Sequence, residues 1–321
     1  MPGSDGAARA QKAGRQASRL ASRPASLRDC LAEGRFAITA EVAPPLSADP
    51  QGVRDLAAPL LGLVNAVNVT DGAGARTAMS SLAAAAILQE AGFETVLQVT
   101  CRDRNRIALA ADLLGASALG VRNLLVLHGD DPARGDTPEA KPVYDLDSRE
   151  VIRLAHGMRD DGMLPSGRAI KTPPQFLIGA ADTPHDPAPN WRPHRLMAKQ
   201  EAGAEFVQTQ FCFDPGVVRR YLARLADVGL TETLGVLIGI GPLASAASAR
   251  WMNDKLFGVE VPDALIARLD QASDQAAEGR RICVELIEEL REIEGVAGVH
   301  LMAPRQGATA IAAVIGAIAG A

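Results

Sequence analysis

Short β-branched runs alternate with longer Ala- and Leu-rich stretches along almost the whole chain. The first run, residues 36–42 (FAITAEV), leads through PPLSADP into a helix expected over 50–61. VNAVNVT, ending at Thr70, reads as the second strand, with a helix over 77–91 that Gly92 stops. TVLQVT ends at Thr100; its helix spans 104–119, with Gly120 as the capping glycine. NLLVLH ends at His128, and the loop 129–145 is kept irregular by its prolines and glycines. A helix over 148–160 follows, then QFLIGAA as strand five, the loop TPHDPAPNWRP and a helix over 194–201. EFVQTQF with a helix over 217–228, and TLGVLIGI with helical segments over 245–257 and 263–290, make units six and seven. GVHLMA and a last helix from Gly307 complete the eighth.

Strand–helix–strand connections are right-handed and leave their strands parallel, and eight such units close a barrel. The competing arrangement is an open doubly wound sheet. Its dinucleotide-binding form carries a glycine-rich loop directly after strand one, where this chain has Glu-Val-Ala-Pro-Pro. The fold expected is a single α/β (β/α)8 TIM barrel over residues 28–321, with an extra helical segment between strands seven and eight.

Composition narrows the setting. The chain has 321 residues, 47% of them hydrophobic, enough for a large core without disulfides. Cys30, Cys101, Cys212 and Cys283 are scattered, with no metal or redox spacing, which points to a reducing, cytoplasmic location. The net charge of -5 argues against a nucleic-acid surface. No apolar run is long enough for a membrane span; the most apolar, ATAIAAVIGAIAGA, reads as a buried closing helix. Residues 1–27 carry Arg9, Lys12, Arg15, Arg19 and Arg23 among small residues and lack the apolar stretch of a secretory signal. They read as a flexible basic tail in preference to a mitochondrial-type leader.

In such a barrel the site forms where strands end. The polar strand-end candidates are Glu41, Asn68, Thr70, Asp71, Gln98, Thr100, His128, Asp130, Gln208 and Gln210. Glu41 is the sharpest: a carboxylate in an apolar run is costly without partners, and an apolar setting would raise its pKa and suit it to acid work. Bracing the first loop is the structural alternative. Asp130 follows a glycine, which is also ordinary turn chemistry. Gln210 has a donor and an acceptor edge for a heterocycle but can equally bridge loops. Lys199 is placed to meet a phosphate or carboxylate, or is an exposed helical lysine. Cys101 and Cys212 are strand-end thiols, more often small buried hydrophobes than nucleophiles.

AEVAPP around Glu41, VNVTDG around Thr70, QVTCRDRN around Thr100, LLVLHGDDP around Asp130 and AGAEFVQTQFCFD around Gln210 stand in an order and spacing that resembles the methylenetetrahydrofolate reductase family. The resemblance runs from Phe36 to Ala303. It implies an FAD-binding barrel in which flavin, reduced by NADH or NADPH, passes a hydride to 5,10-methylenetetrahydrofolate. It implies Glu41 as general acid and Asp130 as a catalytic residue near flavin and pterin. It implies Gln210 as a folate contact, Thr70, Gln98, Thr100 and His128 beside the flavin, and Lys199 at the FAD phosphates. Homo-oligomers are compatible with it.

The departures fall on the redox half of that pattern. Val42 and Ala43 stand where the common form has two aromatics, Asp71 where it has Tyr, Gln98 where it has His, and His128 where it has Arg. The loop after strand seven, IGPLASAASARWMN, lacks the stacking Phe, and LMAPR replaces an aromatic-rich ending. Three readings stay open: a reductase using NAD(P)H or an electron-delivering accessory protein, a tetrahydrofolate-dependent methyltransferase, and a non-catalytic folate- or flavin-binding subunit.

Overall fold

The computed structural model describes residues 24–319 and shows the closed, all-parallel barrel. Its strands are β1 (Ala37–Val42), β2 (Ala66–Val69), β3 (Thr95–Thr100), β4 (Asn123–Leu127), β5 (Leu177–Asp182), β6 (Phe206–Phe211), β7 (Gly235–Ile240) and β8 (Val296–Leu301). Each pairs with the next, and β8 returns to β1 through Thr39 opposite His300. The helices are α1 (Leu27–Ala32), α2 (Pro50–Ala57), α3 (Ser81–Glu90), α4 (Arg106–Ala118), α5 (Ser148–Asp160) and α6 (His194–Glu201). They continue with α7 (Pro215–Ala226), α8 (Leu230–Thr233), α9 (Ala246–Lys255), α10 (Asp263–Gln271), α11 (Gln275–Arg291) and α12 (Gly307–Ala319). Among the described residues no helix is long and apolar enough to cross a membrane.

Side-chain caps set several helix starts. Asp147 and Glu150 form a reciprocal capping box on α5. Asp214 accepts from Gly216 N and Val217 N, so α7 starts at Pro215, two residues before the expected start. Ser80 caps Ala83 N and delays α3 to Ser81. The helical stretch expected over 263–290 is two helices: Ala272 is extended and Asp274 caps a new start.

Side chains alternate along each strand between the barrel interior and the helix layer. The outward set, with Val67, Val99, Ile178, Val207 and Leu301 among it, joins the helices in one apolar shell. The inward set begins with a floor of Ala37, Ala66, Val96, Leu125, Leu177, Phe206 and Leu237. Phe206 fills space that Gly179 leaves free: a Cβ on that glycine would lie 2.2 Å from the ring.

Leu27 and Cys30 of α1 seal the floor from below. Asn65 Nδ2 donates to the Ala25 carbonyl and Glu94 accepts from Leu27 N, tying this segment to β2 and β3. The tail boundary drawn at residue 27 therefore falls inside ordered structure, with Leu27 fully buried; residues 1–23 of that tail lie outside the described residues.

Candidate functional site

Above the apolar floor the inward positions turn polar. Thr39, Asn68, Gln98, Gln208 and His300 are all buried there. A layer of amides and hydroxyls inside a barrel is tolerable only if its members satisfy one another. Asn68 Nδ2 donates to Gln208 Oε1 at 2.5 Å, and Gln208 Nε2 donates to Asn68 Oδ1 at 3.1 Å and to Thr39 Oγ1 at 2.9 Å. Thr39 Oγ1 lies 3.0 Å from His300 Nδ1, and His300 Nε2 lies 3.9 Å from Glu41 Oε2. The chain thus crosses from β2 and β6 to β1 and β8 and ends on the carboxylate singled out in the sequence. The His300 side chain is 4% exposed and that of Glu41 31%, so Glu41 is where the buried chain meets solvent.

Gln210, next inward on β6, is half-buried, and its Oε1 accepts from its neighbour's amide, Phe211 N, at 2.9 Å. Thr70 is buried directly above Asn68. Neither Thr39 nor His300 was among the strand-end candidates. Thr39 lies two residues below Glu41, and His300 sits in a strand with no other polar residue, so strand alternation was the signal for both.

A second cluster joins the ends of β2 and β3. Asp71 accepts from Thr100 N at 2.8 Å, Thr100 Oγ1 at 2.9 Å and Ser81 Oγ at 3.1 Å, and pairs with Arg104. The Thr100 hydroxyl is therefore committed to protein. Arg102, almost wholly buried, pairs with Asp103 and donates to the carbonyls of Gly72 and Asp130. A Cβ at Gly72, where φ is +61°, would lie 2.5 Å from that guanidinium. The Asp130 carboxylate accepts from Gly74 N at 2.7 Å, clamping the β4 loop to the β2 loop. His128 is exposed and stacks on Tyr144, with centroids 4.5 Å apart.

On the far side, Lys199 is half-buried and donates to the Ala181 carbonyl. Burial pushes its pKa down, with Asp182 opposing. Tyr221, wholly buried, donates to Asp182 at 2.5 Å; burial and that carboxylate push its phenol well above the usual value. Burial also raises the thiols of Cys101 and Cys212, to about 12 and about 11, which makes them core residues rather than nucleophiles.

Between the ends of β6, β7 and β8 a small cleft of about 50 Å³ is lined by Phe211, Trp251, Met252, Arg305 and Gln306 among others. The Arg305 guanidinium lies over the Trp251 ring, 4.7 Å from its centroid. Trp251 comes from α9, within the stretch that lacks the stacking Phe.

The structure accordingly groups Glu41 with the buried polar chain. It leaves Asp130 and His128 at the exposed rim of β4, Thr100 in the Asp71 cluster and Lys199 against β5.

Residues 26–318 match the sequence model of the family described as methylenetetrahydrofolate reductase. A probable methylenetetrahydrofolate reductase (NADPH) of Caenorhabditis elegans is 28% identical over 230 residues, covering 69% of this chain and 32% of its own length. Methylenetetrahydrofolate reductase 2 of Schizosaccharomyces pombe is 27% identical over 236 residues, covering 70% and 35%. The chain spans about a third of the length of these relatives. An uncharacterized Clostridium thermocellum protein that binds two copies of 5-methyl-5,6,7,8-tetrahydrofolic acid shares the fold: its TM-score is 0.64 at 13% identity, covering 90% of this chain and 96% of that one.

Proposed function

Because this chain belongs to the methylenetetrahydrofolate reductase family, we propose that it is an oxidoreductase that reduces 5,10-methylenetetrahydrofolate to 5-methyltetrahydrofolate, with Glu41 as the acid. The observation that carries this reading is Glu41 itself, a half-open carboxyl at the top of a buried polar chain, facing the mouth of the barrel.

The reaction consumes a proton and a hydride. Protonation at N10 opens the five-membered ring and leaves an iminium at N5. The hydride adds to the methylene carbon and makes the methyl group. Glu41 supplies the proton from a fixed position. Gln210, the inward amide at the end of β6, is proposed to meet the pterin edge. The Trp251 and Phe211 rings offer an apolar wall for the flat parts of folate or nicotinamide.

The flavin implied by the family resemblance is a different matter. It would use Thr70, Gln98, Thr100, His128, Asp130 and Lys199. The Thr100 hydroxyl donates to Asp71, whereas the Asp130 carboxylate, accepting from Gly74 N, keeps free lone pairs and the Lys199 ammonium, donating to the Ala181 carbonyl, keeps two protons. Thr70 and Gln98 are buried and His128 is stacked on Tyr144. Asp130 and Lys199 would hold a bound flavin, which would relay the hydride, while Thr100 would not contribute its proton, and no step is drawn through one. NADPH or NADH is proposed as the source of the hydride.

The test is turnover together with a visible spectrum. The purified chain is expected to form 5-methyltetrahydrofolate from the methylene compound at the expense of NADPH or NADH. Glu41→Gln should lower kcat by about 10²- to 10⁴-fold with the thermal midpoint unchanged. No methyl product with either nucleotide, with or without added FAD or FMN, would sink the reading and move attention to methyl transfer. Oxidised-flavin bands in the purified protein, bleached by the nucleotide, would place a flavin between nicotinamide and folate.

A further inference from the structure

The buried chain has a direction, set by its end. The carboxyl of Glu41 accepts at both oxygens once it has given up its proton and at its carbonyl oxygen before that, so a chain that terminates on it is best satisfied when its donors point towards that residue. Gln208 Nε2 donates to Thr39 Oγ1 at 2.9 Å. Thr39 then has its own proton to place. His300 Nδ1, at 3.0 Å, is a better acceptor than the Val299 carbonyl at 3.5 Å. Accepting there leaves Nδ1 bare and puts the imidazole proton on Nε2, the nitrogen that faces Glu41 Oε2. With its side chain only 4% exposed, His300 has little water to substitute for these partners.

We infer that His300 is a positioning residue for Glu41: its Nε2–H steadies one carboxyl oxygen, leaving the other for the substrate, and the Thr39–Gln208–Asn68 chain holds the imidazole in that tautomer. The 3.9 Å separation is longer than a hydrogen bond. A small turn of the carboxyl as substrate docks closes it, in the way that catalytic contacts tighten on binding. The inference rests on Glu41 being the acid of the proposed reductase.

Two substitutions separate positioning from bracing of the barrel interior. Glutamine carries its amide near the place of Nε2 and asparagine near that of Nδ1. His300→Gln therefore keeps a donor for Glu41 and gives up Thr39, while His300→Asn does the reverse. His300→Asn is expected to lower kcat about 10²-fold, with KM for the folate within about twofold, and His300→Gln to stay within about tenfold of the parent. The opposite ranking, or equal losses that follow equal falls in thermal midpoint, overturns the inference.

A second measurement needs no turnover. In the full chain labelled with 15N-histidine, His300 is assigned by the signal missing from His300→Gln. The neutral Nε2–H tautomer is expected, with an Nε2 resonance that moves in Glu41→Gln. If both amides are reversed, the proton sits on Nδ1, and that tautomer overturns the inference even in an active enzyme. A chain that makes no methyl product but shows the Nε2–H tautomer coupled to Glu41 fails as a reductase and keeps its His300–Glu41 pair.

Discussion

Asp71 stands where the family resemblance leads one to expect a tyrosine, and it holds the ends of two strands together. Its side chain is 10% exposed, accepts from Thr100 and Ser81, and faces the Arg104 guanidinium. Asp71→Ala would strand that guanidinium and two hydroxyls. Asp112, 3.2 Å from Arg104, would compensate in part. A loss of about 3 kcal/mol is expected, read from the urea midpoint at constant slope; a loss below about 1 kcal/mol would mean that Asp112 carries the pair. Single residues of this kind were unevenly legible. Glu41 stood out because a carboxylate in an apolar strand needs a reason. Its partner His300 did not, because nothing in a sequence says which strand closes on which at a given height. Thr100 was legible as a strand-end hydroxyl, but the neighbour that engages it was not.

At the scale of elements, the end of the segment after β4 is tied to α4 by the half-buried carboxylate of Asp145. Asp145 accepts from Arg106 Nη2 at 2.8 Å, from Arg106 Nε at 2.9 Å and from Arg106 N at 2.9 Å, at the start of α4. The guanidinium and backbone hydrogen bonds hold its pKa down, from 3.8 to about 2. A depressed carboxylate stabilises the fold fully above its unfolded pKa and loses that contribution as pH falls through the folded one. The thermal midpoints of the parent and Asp145→Asn should therefore differ by a constant amount above pH 3.8 and converge as pH falls towards 2. A gap that persists unchanged to pH 2 would show that the tether works through shape alone.

The Gly179–Phe206 contact makes a second prediction at this scale. Gly179→Ala places a methyl against the ring and should cost about 1–3 kcal/mol, with Phe206→Leu restoring part of it in the double variant. Additive losses would mean that the two residues do not share that space. Three helix starts were legible almost to the residue: α5, α6 and α12 begin where patterning placed them. The break between α10 and α11 was not, because no glycine or proline marks it and Asp274 acts through a cap that needs the next turn to exist. α1 escaped notice because a six-residue helix with two buried side chains leaves too short a stripe to recognise.

For the molecule as a whole, the eight-fold alternation was enough to specify the barrel, since hydrophobic period and chain order carry that information without long-range detail. What fills the barrel is set by which inward positions meet at each height, and that required the closed sheet. The consequence is a vessel with one door. α1 and the ring of floor side chains close the lower end of the interior, so the carboxyl of Glu41 is approached from the upper rim. In the proposed reaction the hydride donor and its acceptor would both enter through the same opening. In a direct transfer, with nothing to store a hydride between visits, donor and acceptor would have to share that entrance and be present together. The order of arrivals and departures is then governed by the geometry of the entrance rather than by a second binding chamber.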